Sequence, residues 1–211
     1  MARFIPLFPL NIVVFPGEKL NLHIFEPRYK QLVNECYATG TTFGIPVFLN
    51  KQIGQVATEI KILSIEKTYP LGEMDIKTKG IKLVRIVNFF HQAPNKFYPA
   101  GTIEDLPVDK KEDVVLKIKI TECIRQLYSS LGINKLFMDL PEDYKIFDIA
   151  HHLGLTTEQE YELLQFSEET ARQEFVLDHL HKVMPVILET ERLKERVRMN
   201  GHFKKEIPPR F

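Results

Sequence analysis

Pro6, Pro9, Pro16 and Pro27 punctuate the most apolar stretch of the chain, RFIPLFPLNIVVFPGEKLNLHIFEPRY from Arg3 to Tyr29. Each proline removes a backbone donor and fixes φ, so the stretch cannot be one continuous helix, nor a central strand. It is also not an export signal, because prolines break the apolar run and no small-x-small cleavage site follows. A membrane-spanning helix needs about 20 consecutive apolar residues, and none is available here. Alternation is the pattern that remains. Leu20, Leu22 and Ile24 point one way while Lys19, Asn21 and His23 point the other, the period of a half-buried strand. Pro6 and Pro9 then require a first strand at a sheet edge, and Phe15-Pro16-Gly17 reads as a turn in type II order.

After the second strand, Glu26 stands where it can cap a helix and Pro27 fits the first helical position. Tyr29, Leu32, Val33, Cys36 and Tyr37 follow at i, i+3, i+4, i+7 and i+8, one core-facing stripe, and Gly40 ends the helix. A cation in the first turn opposes the helix dipole, so Arg28 is expected to find a carboxylate or carbonyl partner elsewhere in the fold.

Residues 42–107 continue as strands: TTFGIPVFL, VATEIKILSIEKTY, EMDIKTKGIKLVRIVNFF and FYPAGTIEDL are rich in β-branched and aromatic residues. Gly72 predicts a hairpin turn, and Gly80 a bulge or tight bend inside a strand. Near Asp109 the period becomes helical. Leu116, Ile120, Cys123, Ile124, Leu127, Tyr128 and Leu131 form one stripe, and IFDIAHHLG reads as a short helix. Thr156 or Thr157, with Gln159 or Glu160 three residues on, starts a helix that ends near Phe166. Ser167 is expected to cap a last helix running to about Met199. Its inward stripe is Val176, Leu180, Val183, Met184, Ile187 and Leu188, and Pro185 should kink it. The fold class is therefore α+β, with a β-rich part over 1–110, a helical part over 111–203 and an extended tail over 204–211.

Composition narrows the function. Lys plus Arg and Asp plus Glu each number 28, so formal net charge is zero and the excess of cations typical of a nucleic-acid binder is missing. Cys36 and Cys123 lie far apart in apolar patterns, which suits free thiols in a reducing cytoplasm. His151 and His152 diverge by about 100° on a helix and cannot share a metal, and His179 lies on an apolar stripe. Ser64, Ser129, Ser130 and Ser167 stand in no nucleophile elbow. No glycine is followed by lysine, so no phosphate-binding loop is present. No catalytic residue, metal site or cofactor is expected. Between Thr156 and Asp178, seven acidic residues face one basic residue; from Arg192 to Phe211 the balance is seven basic to two acidic. The last helix has Glu168 and Glu169 at its start and Arg192, Lys194, Arg196 and Arg198 at its end, which matches its dipole.

The opening residues resemble the LON domain, the N-terminal domain of the Lon ATP-dependent proteases. Pro6-Leu7-Phe8-Pro9-Leu10, Phe15-Pro16-Gly17 and Leu22-His23-Ile24-Phe25-Glu26-Pro27-Arg28-Tyr29 carry the resemblance. IGQVATEIKILSI is similar to the family's glycine-led strand, and Gly80 and Arg85 in TKGIKLVRI to its glycine–arginine strand; IFDIAHHLGLTTEQEYELLQ fits the family's helical half less specifically. KTYPLGEMDIKTKG departs from the family's usual hairpin loop. The resemblance implies a PUA-like β pseudo-barrel carrying one helix, followed by a helical bundle. With the chain stopping near its last helix, it predicts a LON domain standing alone, without the ATPase and peptidase modules.

The resemblance also implies capture of unfolded protein or peptide segments, with a separate protease or chaperone as a possible partner and no membrane. The expected groove lies between the β-rich and helical halves, at Phe15, His23, Phe25, Phe89 and Phe90, beside an unpaired edge near the first prolines. Pro16, Gly17, Glu26, Pro27, Arg28 and Tyr29 are expected to be architectural, Glu26 as a cap and Arg28 as a tie to the sheet. An RNA-binding role would use a stripe of Lys77, Lys79, Lys82 and Arg85. An adaptor role would place a folded partner on the helical half.

Overall fold

The structure, a computed structural model, describes residues 2–109, 111–132 and 141–202. Two compact units share the chain. One combines Met1–Lys110 with Phe147–Glu169, and the other combines Lys111–Ile146 with Thr170–Phe211. The first unit thus runs to residue 110 and takes in residues 147–169 as well. The predicted tail at 204–211 lies outside the described residues.

The first unit is built on β1 (Arg3–Pro6), β2 (Lys19–Ile24), β3 (Phe43–Leu49), β4 (Gln52–Thr68), β5 (Met74–Phe90) and β6 (Ala100–Asp105), with α1 (Pro27–Thr39) between β2 and β3. All pairings within the sheet are antiparallel, in the order β1-β6-β5-β4-β3, and β2 joins the first half of β5. The prolines sit where their missing donors cost nothing. Pro6 ends β1 at the sheet edge opposite Ala100, and the next residue, Leu7, donates to the Pro99 carbonyl at 2.8 Å. The chain then crosses to the other end of the sheet. Phe8 and Leu10 donate to Gly44 and Pro46 of β3 at 2.8 and 3.2 Å. Pro9, between those donors, faces the side that needs none. The edge beside the first prolines is therefore occupied by β3 and is not open.

The predicted turn is present: Gly17 has φ 92° and the Glu18 N–H donates to the Phe15 carbonyl at 3.2 Å. The turn docks on β5, where Gly17 N–H donates to the Gly80 carbonyl and Gly80 N–H to the Glu18 carbonyl. A Cβ at Gly80 would lie 2.4 Å from the Phe15 carbonyl oxygen, so only glycine permits this approach. The ladder slips at the same place, with Ile60 opposite Gly80 but Glu59 opposite Lys82, which is the predicted bulge. The predicted hairpin at Gly72 is also present, closed by Tyr69 N–H to the Glu73 carbonyl at 2.8 Å.

Helix α1 buries Tyr29, Leu32, Val33 and Cys36 against a core that includes Phe8, Ile24, Phe43 and Ile60. Phe8 stacks on Tyr29 with ring centroids 3.9 Å apart. Each such fully buried apolar side chain contributes about 1.5–3 kcal/mol. Tyr37, expected on the stripe, is half exposed. Burial pushes the Cys36 thiol above its ordinary range, so it stays protonated. A second cluster, Ile5, Leu7, Ala57, Val84, Ile86 and Ile103, fills the space around β1 and β6. Helix α3 (Ile146–Ile149) runs into one turn of 3₁₀ helix, and α4 (Thr157–Gln165) opens with the predicted capping box between Thr156 and Gln159.

The second unit contains α2 (Val114–Ser130) and most of α5 (Glu169–His202). Asp113 caps α2, accepting from the Val115 and Leu116 N–H groups, and the Gln173 amide brackets the Asp113 backbone with bonds of 2.8 and 3.1 Å. The buried face of α2 is Ile120, Ile124, Leu127 and Tyr128; Leu131, placed on that stripe by periodicity, is exposed. Helix α5 begins at Glu169 and continues through Pro185. Its core face ends near Met184, and Leu188, Leu193 and Val197 are exposed. Ser167 gives its carbonyl to the Asp109 N–H at 2.7 Å. His179 is buried, in keeping with its place on an apolar stripe.

Candidate functional site

The structure distributes the five candidate groove residues over separate places in the first unit. Phe15 has no exposed surface; its ring stacks on Phe147 at 5.0 Å and meets His151 at 4.8 Å. Docking of the Phe15–Glu18 turn on β5 is the reason, because it carries the ring inward. His23 and Phe25 lie beside the start of β5, where His23 pairs with Asp75 at 2.6 Å and Phe25 is exposed. Phe89 and Phe90 lie at the other end of that 17-residue strand, Phe89 half-buried and Phe90 exposed beside Phe4. These residues share no single surface.

The architectural residues are placed with two corrections. Glu26 holds the N-cap position of α1, but its side chain makes no capping bond. Its carboxylate instead accepts from Arg28 Nε at 2.9 Å, while its carbonyl accepts from the Tyr29 and Lys30 N–H groups. Arg28 therefore finds its carboxylate two residues away instead of elsewhere in the fold, and it lies 4.5 Å from the Tyr29 ring centroid. This local pair does not tie α1 to the sheet.

The long-range tie is made by Arg3. Its guanidinium donates to both oxygens of the nearly buried Glu59, at 3.1 and 2.7 Å, and to Asp105 at 2.7 Å. Thr42 adds a bond to Glu59 at 2.6 Å. The Arg3 guanidinium holds the Glu59 carboxyl below the usual carboxylate range. A second tie joins residues 147–169 to the turn. His151 stands between two carboxylates, Glu160 at 2.7 Å and Glu18 at 3.2 Å, and Glu18 also accepts from the Phe15 N–H at 2.8 Å. These bonds, Glu160's first, outweigh burial and push the imidazole up to about 9.

A cavity of about 690 Å³ opens where β4 and β5 part company. The two strands pair from Val56–Arg85 to Thr68–Met74. Beyond Val56, β4 pairs only with β3, down to Gln52, and beyond Arg85, β5 pairs only with β6. Helix α4 covers one side. A Cβ on Gly54 would lie 2.8 Å from the Tyr161 ring, so glycine lets that ring rest on the strand, and the Tyr161 hydroxyl accepts the Val56 N–H at 3.2 Å. Asn50 and Lys51, both at positive φ, make the two-residue β3–β4 turn at the cavity rim. Arg85, Glu158 and the carboxamides of Gln52 and Gln55 line the cavity, and none of these side chains makes an ion pair or hydrogen bond among the described residues.

None of the five residues singled out from the sequence lines this cavity, and of the basic stripe only Arg85 does. The signal that could have found it is the density of carboxamides in Asn50-Lys51-Gln52-Ile53-Gly54-Gln55 around a strand glycine. The rest of the stripe is broken up: Lys77 pairs with Glu66 at 2.8 Å and Lys82 with Asp105 at 2.6 Å. Among the described residues, no helix is long and apolar enough to cross a membrane.

Comparison with known proteins agrees with this architecture. A Lon N-terminal domain protein from Xanthomonas campestris matches with a TM-score of 0.65 and 24% identity, over 83% of this chain and 98% of the other. The N-terminal domain of a Lon protease from the Mycobacterium avium complex matches with a TM-score of 0.63 and 14% identity, over 85% of this chain and 98% of the other. At these identities the likeness establishes a shared fold. The family model for the ATP-dependent protease La (LON) substrate-binding domain matches residues 5–182, most of the chain. The chain belongs to the LON substrate-binding domain family.

Proposed function

We propose that this chain binds unfolded or peptide segments of other proteins and does not cut them. The carrying observation is that the family matching residues 5–182 is a substrate-binding domain. In this reading the first unit is a PUA-like pseudo-barrel, its ring completed by residues 7–10, and Pro185 kinks the last helix. The bound segment passes to a separate protease or chaperone in the cytoplasm. A non-catalytic role is supported by the missing phosphate-binding loop and by serines with local partners: Ser130 Oγ donates to the Gln126 carbonyl and Ser64 Oγ to Glu66. The ion pairs of Lys77 and Lys82 weigh against RNA binding, because they neutralise the stripe that phosphates would need.

The test is fluorescence anisotropy of a labelled, permanently unfolded protein titrated with the chain. Saturation with a Kd on the order of micromolar is expected. A flat titration up to the solubility limit, or turnover of nucleotide or casein by the purified chain, overturns the reading.

A further inference from the structure

We infer that the cleft where β4 and β5 part is the peptide site, and that it takes an extended polypeptide by its main chain. The inference rests on the peptide-binding reading above and supplies its location. Gln52 and Ile53 of β4 pair with β3 alone, Gly54 and Gln55 fall where the β3–β4 register shifts, and the β5 ladder begins only at Val56. Across the cleft, β5 pairs only with β6 from Ile86 to Phe90. Two strand margins that diverge in this way leave main-chain donors and acceptors facing the gap, the requirement for strand addition.

The wall chemistry matches that occupant. A carboxamide presents two donors and a two-lone-pair acceptor, the same complement as a peptide group. Gln52, Gln55, Asn50 and Gln165 place four such groups around the cavity. Gln165 donates to the Tyr161 carbonyl at 3.3 Å, a bond that uses its amide nitrogen and not its oxygen. Arg85 and Glu158, without an ion-pair partner among the described residues, give the same cavity one donor-only and one acceptor-only group. Ile53 provides an apolar floor, packed against the Ile5–Ile103 cluster. Opposite charges without an excess of either, and amides in place of a deep apolar hole, favour recognition that is tolerant of sequence. A volume of about 690 Å³ falls within the range of ligand sites, about 300–1,000 Å³, and accommodates a few residues of an extended chain.

The decisive comparison uses Gln55→Trp, an exposed position whose indole would fill the cleft without touching a core. The probe is a short fluorescein-labelled peptide that is unstructured in solution, with a twin N-methylated at alternate backbone nitrogens. The expected result is at least a tenfold weaker Kd for Gln55→Trp with the plain peptide, and a similar loss for the N-methylated twin on the wild-type chain. A benzophenone-bearing peptide should cross-link to Gln52–Val56 or Tyr161, which tests the location without any variant. If the wild-type chain binds the peptide but Gln55→Trp binds equally well and cross-links fall elsewhere, the site is overturned while peptide binding stands. If no form binds, the functional reading fails and takes this site with it.

Discussion

The two ends of the long β4–β5 hairpin are finished in opposite ways. At the turn end every layer is tied. The Tyr69 N–H bonds to Glu73, the Tyr69 hydroxyl to Asp75 at 2.8 Å, His23 to the same carboxylate at 2.6 Å, and β2 extends the ladder on the far side of β5. At the other end the strands separate after Val56–Arg85, around a cavity where the carboxamides of Gln52 and Gln55 and the Arg85 guanidinium have no partner among the described residues. The family motifs reach both ends: Leu22–Tyr29 lies at the tied end, while Gly54 and Arg85 lie at the open one. In the reading proposed above, the tied end secures the frame and the open end does the receiving.

That division can be broken hardest at Gly80. Any Cβ there meets the Phe15 carbonyl at 2.4 Å, so Gly80→Ala must push the Phe15–Glu18 turn off β5. The two turn-to-strand bonds and the burial of Phe15 are lost together. We expect Gly80→Ala to cost about 3 kcal/mol or more, read as a fall in the urea midpoint. A loss below about 0.5 kcal/mol would show that the tied end is not fixed by this contact.

Arg3→Ala comes next. It leaves the nearly buried Glu59 carboxylate with Thr42 and the more distant Lys82 ammonium at 3.8 Å. Because Arg3 is itself partly exposed, the expected cost is about 1–2 kcal/mol at neutral pH. The pH dependence has a definite sign. The folded pKa of Glu59 lies below its ordinary value of 4.5, so the pair's contribution is complete above that value and fades as pH falls through the folded pKa. The gap in urea midpoint between wild type and Arg3→Ala should therefore be widest near pH 7 and should close in strong acid. A gap independent of pH would assign the loss to packing by the arginine stem.

His151→Gln probes the tie between residues 147–169 and the turn with a smaller effect. The groups facing His151 are Glu160, Glu18 and the Phe15 ring. Its pKa is raised from 6.5 to about 9, so its contribution is full below pH 6.5 and is lost as pH rises through about 9. Since the ring is partly exposed, solvent screening limits the expected difference to about 1 kcal/mol at neutral pH. Wild type and variant should converge by pH 10, measured as thermal midpoints across the series.

What could be read from the sequence was whatever local pattern decides. The alternation in β2, the turns at Gly17 and Gly72, the bulge at Gly80 and the Thr156–Gln159 capping box each depend on residues within a few positions of one another. The family motifs added the fold. What could not be read depends on where distant segments meet. Phe15 looks like a surface aromatic until its turn docks on β5, and Arg28 looks like a tie to the sheet until Glu26 takes it up. The proposed site was hidden most completely, because it is defined by where a ladder stops. Tyr161 reaches Gly54 and Val56 across more than a hundred residues, and no periodicity marks that contact.

The smallest expected effect is the sharpest test of the comparison, because it concerns the tied end's most exposed aromatic. Phe25 follows β2 and is 60% exposed, with its ring 6.2 Å from that of His23. If the tied end is frame alone, Phe25→Ser should change stability by no more than about 0.5 kcal/mol, as for other exposed positions. It should also leave peptide affinity within about twofold, as expected of a residue outside an interface. The His23–Asp75 bond does not use the Phe25 ring, and the ladder from Lys19 to Ile24 ends before it. An affinity loss of about tenfold would move the binding surface to the turn end and reverse the roles assigned to the two halves of the hairpin. Unchanged affinity in Phe25→Ser together with weakened affinity in Gln55→Trp, measured with the same peptide, would place recognition at the parted end.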